Sequence, residues 1–270
     1  MIVLEIKWWL AALLGGACCG LAGFYLVALN LPFLGICLAH AAMAGGVFAI
    51  ALGLPPLPCA VVAALLVAAV LGPVADRARM AVNTLSGILF SLTLGLSFLG
   101  IGLMGTARSE VLALLWGSLL LLRWWDIGAL VAVLAAGLVL AAIFSKEIKA
   151  VLFDRRLAWM NGVPASAIFY GLLIWCGLAV TVNLQAVGGL MLYSLVVNPA
   201  AAARQLTERY DAALGWTVAF AVASACGGLG LSLAAGWPTG ASIVIISSAL
   251  FAVAAGARLL RREIRIGAQR

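Results

Sequence analysis

His40 is the only histidine of the chain, and it stands in a long apolar segment between Cys37 and Met43. Residues three apart on a helix lie on nearby faces, so the imidazole and the Cys37 thiol can approach one ligand. Nitrogen and sulfur donors suit soft metal ions such as zinc or cuprous ion. His40 and Cys37 are therefore candidate metal ligands. The competing interpretation is that His40 is a packing residue whose hydrogen bond is satisfied inside the protein.

The chain has no acidic residue inside an apolar segment, where an ion-coupled transporter would use one. Proton-coupled and sodium-coupled carriers commonly place ionisable groups at membrane depth. A membrane enzyme needs a convergent set of nucleophile, base or metal ligands, which one histidine does not provide. The chain also has no GxxxxGK[ST] phosphate-binding loop, so any ATP is bound and hydrolysed on another subunit, and no cofactor of its own is expected. All nine acids flank apolar segments instead of lying inside them: Glu5, Asp76, Glu110, Asp126, Glu147, Asp154, Glu208, Asp211 and Glu263.

The elements that position these residues follow from the composition. Hydrophobic residues make up 66% of the 270 residues, charged residues only 9%, and the mean hydropathy is +1.22. Because lipid offers no hydrogen-bond partners, each apolar run must satisfy its own amides as a helix. An all-α, polytopic membrane bundle of about nine helices in one domain, residues 1–270, is predicted. The predicted spans are 8–28, 33–53, 58–75, 84–105, 127–144, 165–185, 187–203, 212–235 and 240–257.

Basic residues predict the orientation of this bundle. If the N-terminus lies outside, 13 of the 16 Lys and Arg residues fall in cytoplasmic loops and the C-terminal tail, leaving Lys7, Arg108 and Arg123 on the other face. Lys and Arg near helix ends favour the cytoplasmic side, so the count predicts N-out and C-in. The net charge of +7 is then explained by loops facing anionic lipid, and a nucleic-acid partner is not needed.

Two further regions carry candidate functions. The longest predicted cytoplasmic loop, residues 145–164, mixes charges with Phe153, Leu157 and other apolar side chains, which is typical of a short amphipathic helix. It is either an interfacial connector with snorkelling basic residues or a docking element for a soluble partner. Gly188, Gly189 and Pro199 are candidate gating or pathway residues, because glycine and proline let membrane helices bend.

Four segments resemble the permease subunits of zinc, manganese and iron ABC importers, sometimes called the ABC-3 family. The resemblance extends over nearly the whole chain and combines several partial matches in the right order. These are residues 38–45 (LAHAAMAG), residues 153–163 with Phe153, Asp154, Ala158 and Gly162, residues 187–203 (VGGLMLYSLVVNPAAAA), and residues 238–244 (PTGASIV).

The resemblance implies a multi-pass permease of the bacterial plasma (inner) membrane that transports inward. It implies a second permease copy, usually as a homodimer with the pathway at its interface, two cytoplasmic ATPase subunits, and an extracytoplasmic binding protein. Residues 145–164 would then be the loop that couples to the ATPase. Its coupling residues would be Phe153, Asp154, Leu157, Ala158 and Gly162.

The chain departs from the family at the expected metal site. Family members share a Gly-Asp-x-x-Ser-His-Ala run, which sets a carboxylate and an imidazole one helical turn apart. Here Gly35 and His40 match, but Ile36 stands at the aspartate position and Ala39 at the serine position. Two expectations stay open. His40 and Cys37 from two copies could form a softer nitrogen and sulfur site, or the substrate is a chelated metal or another small solute that needs no carboxylate.

Overall fold

The computed structural model describes residues 2–103, 119, 122–188 and 192–267, and within them the regular structure is helical. The all-α prediction is confirmed. Eleven α-helices follow one another: α1 Ile2–Ala28, α2 Pro32–Ala51, α3 Pro56–Ala78, α4 Val82–Leu103, α5 Trp124–Ile143, α6 Ser145–Phe153, α7 Arg155–Met160, α8 Ala165–Val187, α9 Leu192–Leu206, α10 Tyr210–Ala235 and α11 Thr239–Gly267.

Eight of the described helices are long and apolar enough to cross a membrane, namely α1 to α5, α8, α10 and α11. A span needs about 20 apolar residues because the hydrocarbon core is about 30 Å thick. These eight correspond to eight of the predicted segments. The hydropathy pattern therefore located the spanning helices correctly.

The seventh predicted segment, residues 187–203, corresponds to α9. The structure describes 15 residues of this helix, which measure about 22 Å and are by themselves shorter than the hydrocarbon core. The helices before and after it nevertheless start at the same end of the bundle. Tyr170, near the start of α8, and Asp211, near the start of α10, both contact the segment formed by α6 and α7. The chain from 188 to 209 must therefore return to that end.

We call that end of the bundle the basic end. It is where Arg155 pairs with Asp76 of α3, Lys149 pairs with Asp211 of α10, and Arg258 of α11 donates to Gln205 of α9. The loops that meet there are the ones that the charge count assigns to the cytoplasm. Their placement on one end agrees with that count, while N-out and C-in stays a prediction.

Helix ends use residues suited to them. Pro32 and Pro56 stand in the first turns of α2 and α3, where a missing amide hydrogen costs no helical bond. Gly236 ends α10 with a φ of 69°, and its amide bonds the carbonyl of Ser232. These breaks keep the spans separate in a chain that is apolar almost throughout.

Two glycines bring α1 and α10 into backbone contact. A Cβ at Gly16 would lie 2.9 Å from the carbonyl oxygen of Ala221, and one at Gly20 would lie 2.9 Å from Cα of Val218. Gly16 and Gly20 form the spacing of small residues that permits close approach of membrane helices. On the other side of the bundle α2 packs on α3 and α4, and α9 packs against α1, α2, α10 and α11.

Candidate functional site

His40 lies inside α2 and is almost completely enclosed, with 2% of its surface exposed. Its Nδ1 is 3.0 Å from the carbonyl oxygen of Ile36. A carbonyl only accepts hydrogen bonds, so the Nδ1 position carries the proton and Nε2 of the neutral ring keeps its lone pair. A backbone carbonyl that fixes the tautomer in this way is common behind metal-bound histidines. It also satisfies the ring as a packing residue, so this geometry is compatible with both interpretations.

The surroundings of His40 are apolar. Its ring meets that of Phe90 of α4 edge to face, with 4.9 Å between centroids. Cys37 is completely buried and lies one turn earlier on α2, and Ile36, at the position of the family carboxylate, is half-buried. Across the described residues no three His, Cys, Asp or Glu side chains converge as metal ligands would. One copy of the chain thus brings His40 and Cys37 into the same region of α2 without completing a metal site of the usual kind.

The structure reveals a polar cluster between α9 and α11 that the sequence did not predict. The Asn198 amide nitrogen lies 2.7 Å from the Ser194 hydroxyl, 3.2 Å from that of Ser247 and 3.1 Å from that of Ser248. The Ser194 and Ser247 hydroxyls are also 3.1 Å apart. The sequence carried one signal, an asparagine before Pro199 in an apolar run. The partners on α11 are about 50 residues away, so only the helix pairing brings them together.

The structure describes two of the three candidate gating residues, Gly188 and Pro199. Gly188 ends α8 with a φ of 90°, a conformation that favours glycine. Gly189 lies outside the described residues. Pro199 is buried within α9, where it has no amide hydrogen to donate to the carbonyl one turn earlier. Gly188 and Pro199 are thus local irregularities beside the short helix, and their part in gating stays a prediction.

The loop of residues 145–164 is two short helices, α6 and α7, where one amphipathic helix was expected. Asp154 separates them. Its carboxylate accepts hydrogen bonds from the backbone amides of Arg156 at 2.7 Å and Leu157 at 2.9 Å, which caps the start of α7. Ala158 is buried within α7, and Gly162, two residues after this helix, has a φ of 80°. Asp154, Ala158 and Gly162 therefore set the shape of this segment.

Apolar side chains of α6 and α7 face away from the bundle. Phe153 is 85% exposed, Leu157 is 49% exposed, and Trp159 and Met160 are also exposed. We call these four residues the apolar patch. A cluster of large apolar side chains on a charged loop is typical of a surface that meets lipid or another protein. Phe153 and Leu157 are thus presented as a docking element would require.

Two anchors fasten the same segment to the bundle. Lys149 of α6 pairs with Asp211 at 2.9 Å and lies over the ring of Tyr210, 4.7 Å from its centroid. Arg155 of α7 pairs with Asp76 at 3.3 Å and donates to Ser166 at 3.1 Å. A cavity of about 720 Å³ borders the first anchor, between α6 and the ends of α9 to α11. A movement of α6 and α7 would therefore be transmitted to α10 through the Lys149 ion pair and to α3 through the Arg155 ion pair.

The sequence is similar to that of known transport proteins over most of its length. The family model described as the ABC 3 transport family matches residues 3–257. The manganese transport system membrane protein MntC of Halalkalibacterium halodurans is 29% identical over 90% of this chain and 84% of its own length. The high-affinity zinc uptake system membrane protein ZnuB of Haemophilus influenzae is 28% identical over 89% of this chain and 91% of its own. The chelated iron transport system membrane protein YfeD of Yersinia pestis is 26% identical over 90% and 82%.

Solved structures share the fold. PsaBC from Streptococcus pneumoniae in complex with Fab superposes with a TM-score of 0.82 and 24% identity, covering 93% of this chain and 90% of that chain. An inward-facing metal-chelate type ABC transporter superposes with a TM-score of 0.75 and 17% identity, covering 92% and 84%. The arrangement of helices described above is therefore the one seen in these transporters.

Proposed function

This chain belongs to the ABC 3 transport family, and we propose that it is the permease subunit of an ABC importer whose substrate is a transition-metal ion. The observation that carries the proposal is the family match over residues 3–257, on a chain whose described residues include eight helices long and apolar enough to cross a membrane. Three relatives similar over nearly the whole chain are named for manganese, zinc and chelated iron. Their names agree on a metal substrate and differ on which metal.

Energy for transport comes from a separate ATPase in this proposal, since the chain has no phosphate-binding loop of its own. The ATPase docks at the basic end, on the apolar patch. The exposure of Phe153 and Leu157 supports this placement, and the two anchors connect that surface to α3 and α10. A second copy of the permease completes the pathway, and an extracytoplasmic binding protein delivers the substrate to the opposite end.

His40 contacts the metal ion on this proposal, with Cys37 nearby and the same pair supplied by the second copy. The Nδ1 bond to the Ile36 carbonyl supports it, because Nε2 is left with a lone pair. The Phe90 ring of α4 packs edge to face on the imidazole, 4.9 Å between centroids, and so forms one wall of this site. A chelated metal is the second candidate substrate, favoured by Ile36, since a chelator brings the negative charge that the pathway lacks at this position.

Uptake of metal by the complete transporter tests the proposal. Cells that lack their own metal importers would carry the permease, its ATPase and its binding protein, and their manganese, zinc and iron contents would be measured. The matched control carries the same ATPase and binding protein without the permease. Accumulation of at least one of these metals above the control supports the proposal, and equal metal contents in the two strains would contradict it.

A further inference from the structure

The polar cluster of Ser194, Asn198, Ser247 and Ser248 has a fixed orientation. Ser247 donates its hydroxyl hydrogen to the carbonyl of Val244 at 3.0 Å, so toward Asn198 it can only accept. Asn198 must therefore present its NH2 group to the serines. Its other polar atom, the carbonyl oxygen Oδ1, faces away from them. None of the hydrogen bonds formed by the described residues ends on Asn198 Oδ1.

The polar cluster reaches the surface of the protomer. Ser194 and Asn198 are half-buried, and Ser248 is exposed, although all three belong to apolar helices. Lipid chains cannot bond to a carbonyl or hydroxyl oxygen, and polar side chains at membrane depth generally face a water-filled cavity or another protein surface. The face of α9 that carries Ser194 and Asn198 is therefore better suited to water or another protein surface than to lipid.

The cluster lies at the depth of His40. His40 is eight residues from the start of α2, and Asn198 is eight residues from the end of α9. Each is thus about 12 Å from its helix end. Both helix ends belong to the basic end, because Ala28, just before α2, and Gln205, in the last turn of α9, line the same cavity. The helices α2 and α9 also touch, since a Cβ at Gly35 would lie 3.5 Å from Val196.

We propose that Asn198 Oδ1, held in place by the serine hydroxyls that accept from its NH2 group, is the oxygen donor of a subsite for a divalent cation on the transport pathway. The proposal rests on the proposed function and deepens it. This neutral oxygen lies about one helical turn from the level at which Ile36 replaces a carboxylate. Carbonyl, hydroxyl and water oxygens suit harder cations such as Mn(II), whereas imidazole and thiolate suit Zn(II). The subsite would therefore favour Mn(II) at the depth where His40 lies.

Substitution of Asn198→Leu in the complete transporter tests the subsite. Leucine keeps about the same volume, suits a membrane helix and removes Oδ1. Uptake of Mn(II) per inserted transporter should fall about tenfold, the factor for loss of one good polar contact, and uptake of Zn(II) should fall less. The matched control is Ser91→Leu, on the exposed apolar face of α4, where the hydroxyl bonds only its own helix. It should leave the uptake of both metals unchanged.

Labelling of an introduced thiol gives a second measurement that does not depend on transport. A charged thiol reagent reacts with the hydrated thiolate, so Ser248→Cys should be labelled in nanodiscs and protected by Mn(II), whereas Ser91→Cys should not be labelled. Labelling of the six native cysteines in the unsubstituted protein is subtracted.

The outcomes separate this inference from the proposed function. A wild-type transporter that moves no metal contradicts the proposed function, while the labelling of Ser248→Cys still decides whether this face is wet. Normal uptake of Mn(II) by Asn198→Leu would overturn the subsite. An unlabelled Ser248→Cys would also overturn it, and if that cysteine instead cross-links to its twin, the cluster is a contact between two copies.

Discussion

The basic end and the interior around His40 differ in how their polar groups are paired. At the basic end, α6 and α7 are held by ion pairs that link distant parts of the chain, such as Arg155 with Asp76, and by the local cap of Asp154. These groups are partly exposed, so water and salt screen each pair and its net contribution is about 0 to 1 kcal/mol. The segment is fastened by many weak contacts.

In the interior, several polar side chains are satisfied by a carbonyl of their own helix. His40 bonds the carbonyl one turn before it, and Ser97 of α4 does the same with Thr93. Lipid and packed side chains provide no substitute for these bonds, so a polar atom left free there is costly. Among the described residues, the Tyr25 hydroxyl and Asn183 Oδ1 are buried exceptions, and Asn198 Oδ1 differs from them because its residue is only half-buried.

This difference predicts how strongly a single substitution in each region affects function. A docking surface depends on the shape and apolar character of a few exposed residues, and the ion pairs behind it can be lost one at a time. A pathway residue depends on one atom in one position. Substitutions at the two regions should therefore follow different rules.

The largest expected effect is loss of the apolar patch through Phe153→Asp. A carboxylate placed where an ATPase surface must exclude water should abolish transport, while the bundle stays inserted because Phe153 is 85% exposed and supports no core contact. Uptake of metal and stimulation of the ATPase by the permease both report the effect. Lys146→Ala, also exposed on α6, is the control and should behave as wild type. An ATPase that Phe153→Asp stimulates normally would remove this surface from the coupling mechanism.

A severe effect is expected from His40→Gln. Glutamine can still donate a hydrogen bond to the Ile36 carbonyl, so the fold is preserved, but it lacks the lone pair of an imidazole nitrogen. Uptake should fall at least about tenfold per inserted transporter. Met43→Leu, a volume-conserving change on the same helix, should have little effect. If uptake by His40→Gln falls only in proportion to the inserted amount, His40 is a packing residue.

The sequence predicted the helices better than it predicted the contacts between them. Spans were found because lipid forces each apolar run to form a helix, whatever its neighbours are. The bounds of the run from 187 to 203 were predicted less well, because the run is apolar throughout, whereas α8 ends at Val187 and the described part of α9 starts at Leu192.

The candidate site could be predicted only in part for the same reason. His40 was identified because one imidazole in an apolar segment is conspicuous, and Phe153 because an aromatic residue in a charged loop is. Asn198 was included in the family-like segment 187–203 but was not identified as a site residue, because its role depends on Ser247 and Ser248, which belong to another helix. The pairing of α9 with α11 has no local signal in the residues themselves.

A moderate effect is expected from Asp154→Ala. The substitution removes the acceptor for two amides at the start of α7, a loss of about 1 kcal/mol at a typical cap. The six-residue helix should form less often, so that stimulation of the ATPase falls about fivefold while transport is retained. Asp154→Ser keeps a capping oxygen and should restore most of the stimulation. Equal loss in both variants would mean that the Asp154 charge, and not the cap, is what the ATPase requires.

The smallest effect is expected at the ion pair of Lys149 and Asp211. Their side chains are 43% and 80% exposed, so water competes with the 2.9 Å contact, and the contact of Lys149 with the Tyr210 ring survives the loss of Asp211. A double-mutant cycle with Lys149→Met and Asp211→Asn, measured by thermal unfolding in detergent, should give a coupling free energy below about 1 kcal/mol that declines as salt is added. The pair of Arg155 and Asp76 is less exposed and is shared with Ser166 and Tyr170, so its coupling energy should be the larger of the two. If the Lys149 pair couples more strongly than the Arg155 pair, solvent exposure does not determine the coupling free energies of the two anchors. The contrast drawn between the exposed basic end and the interior would then be wrong.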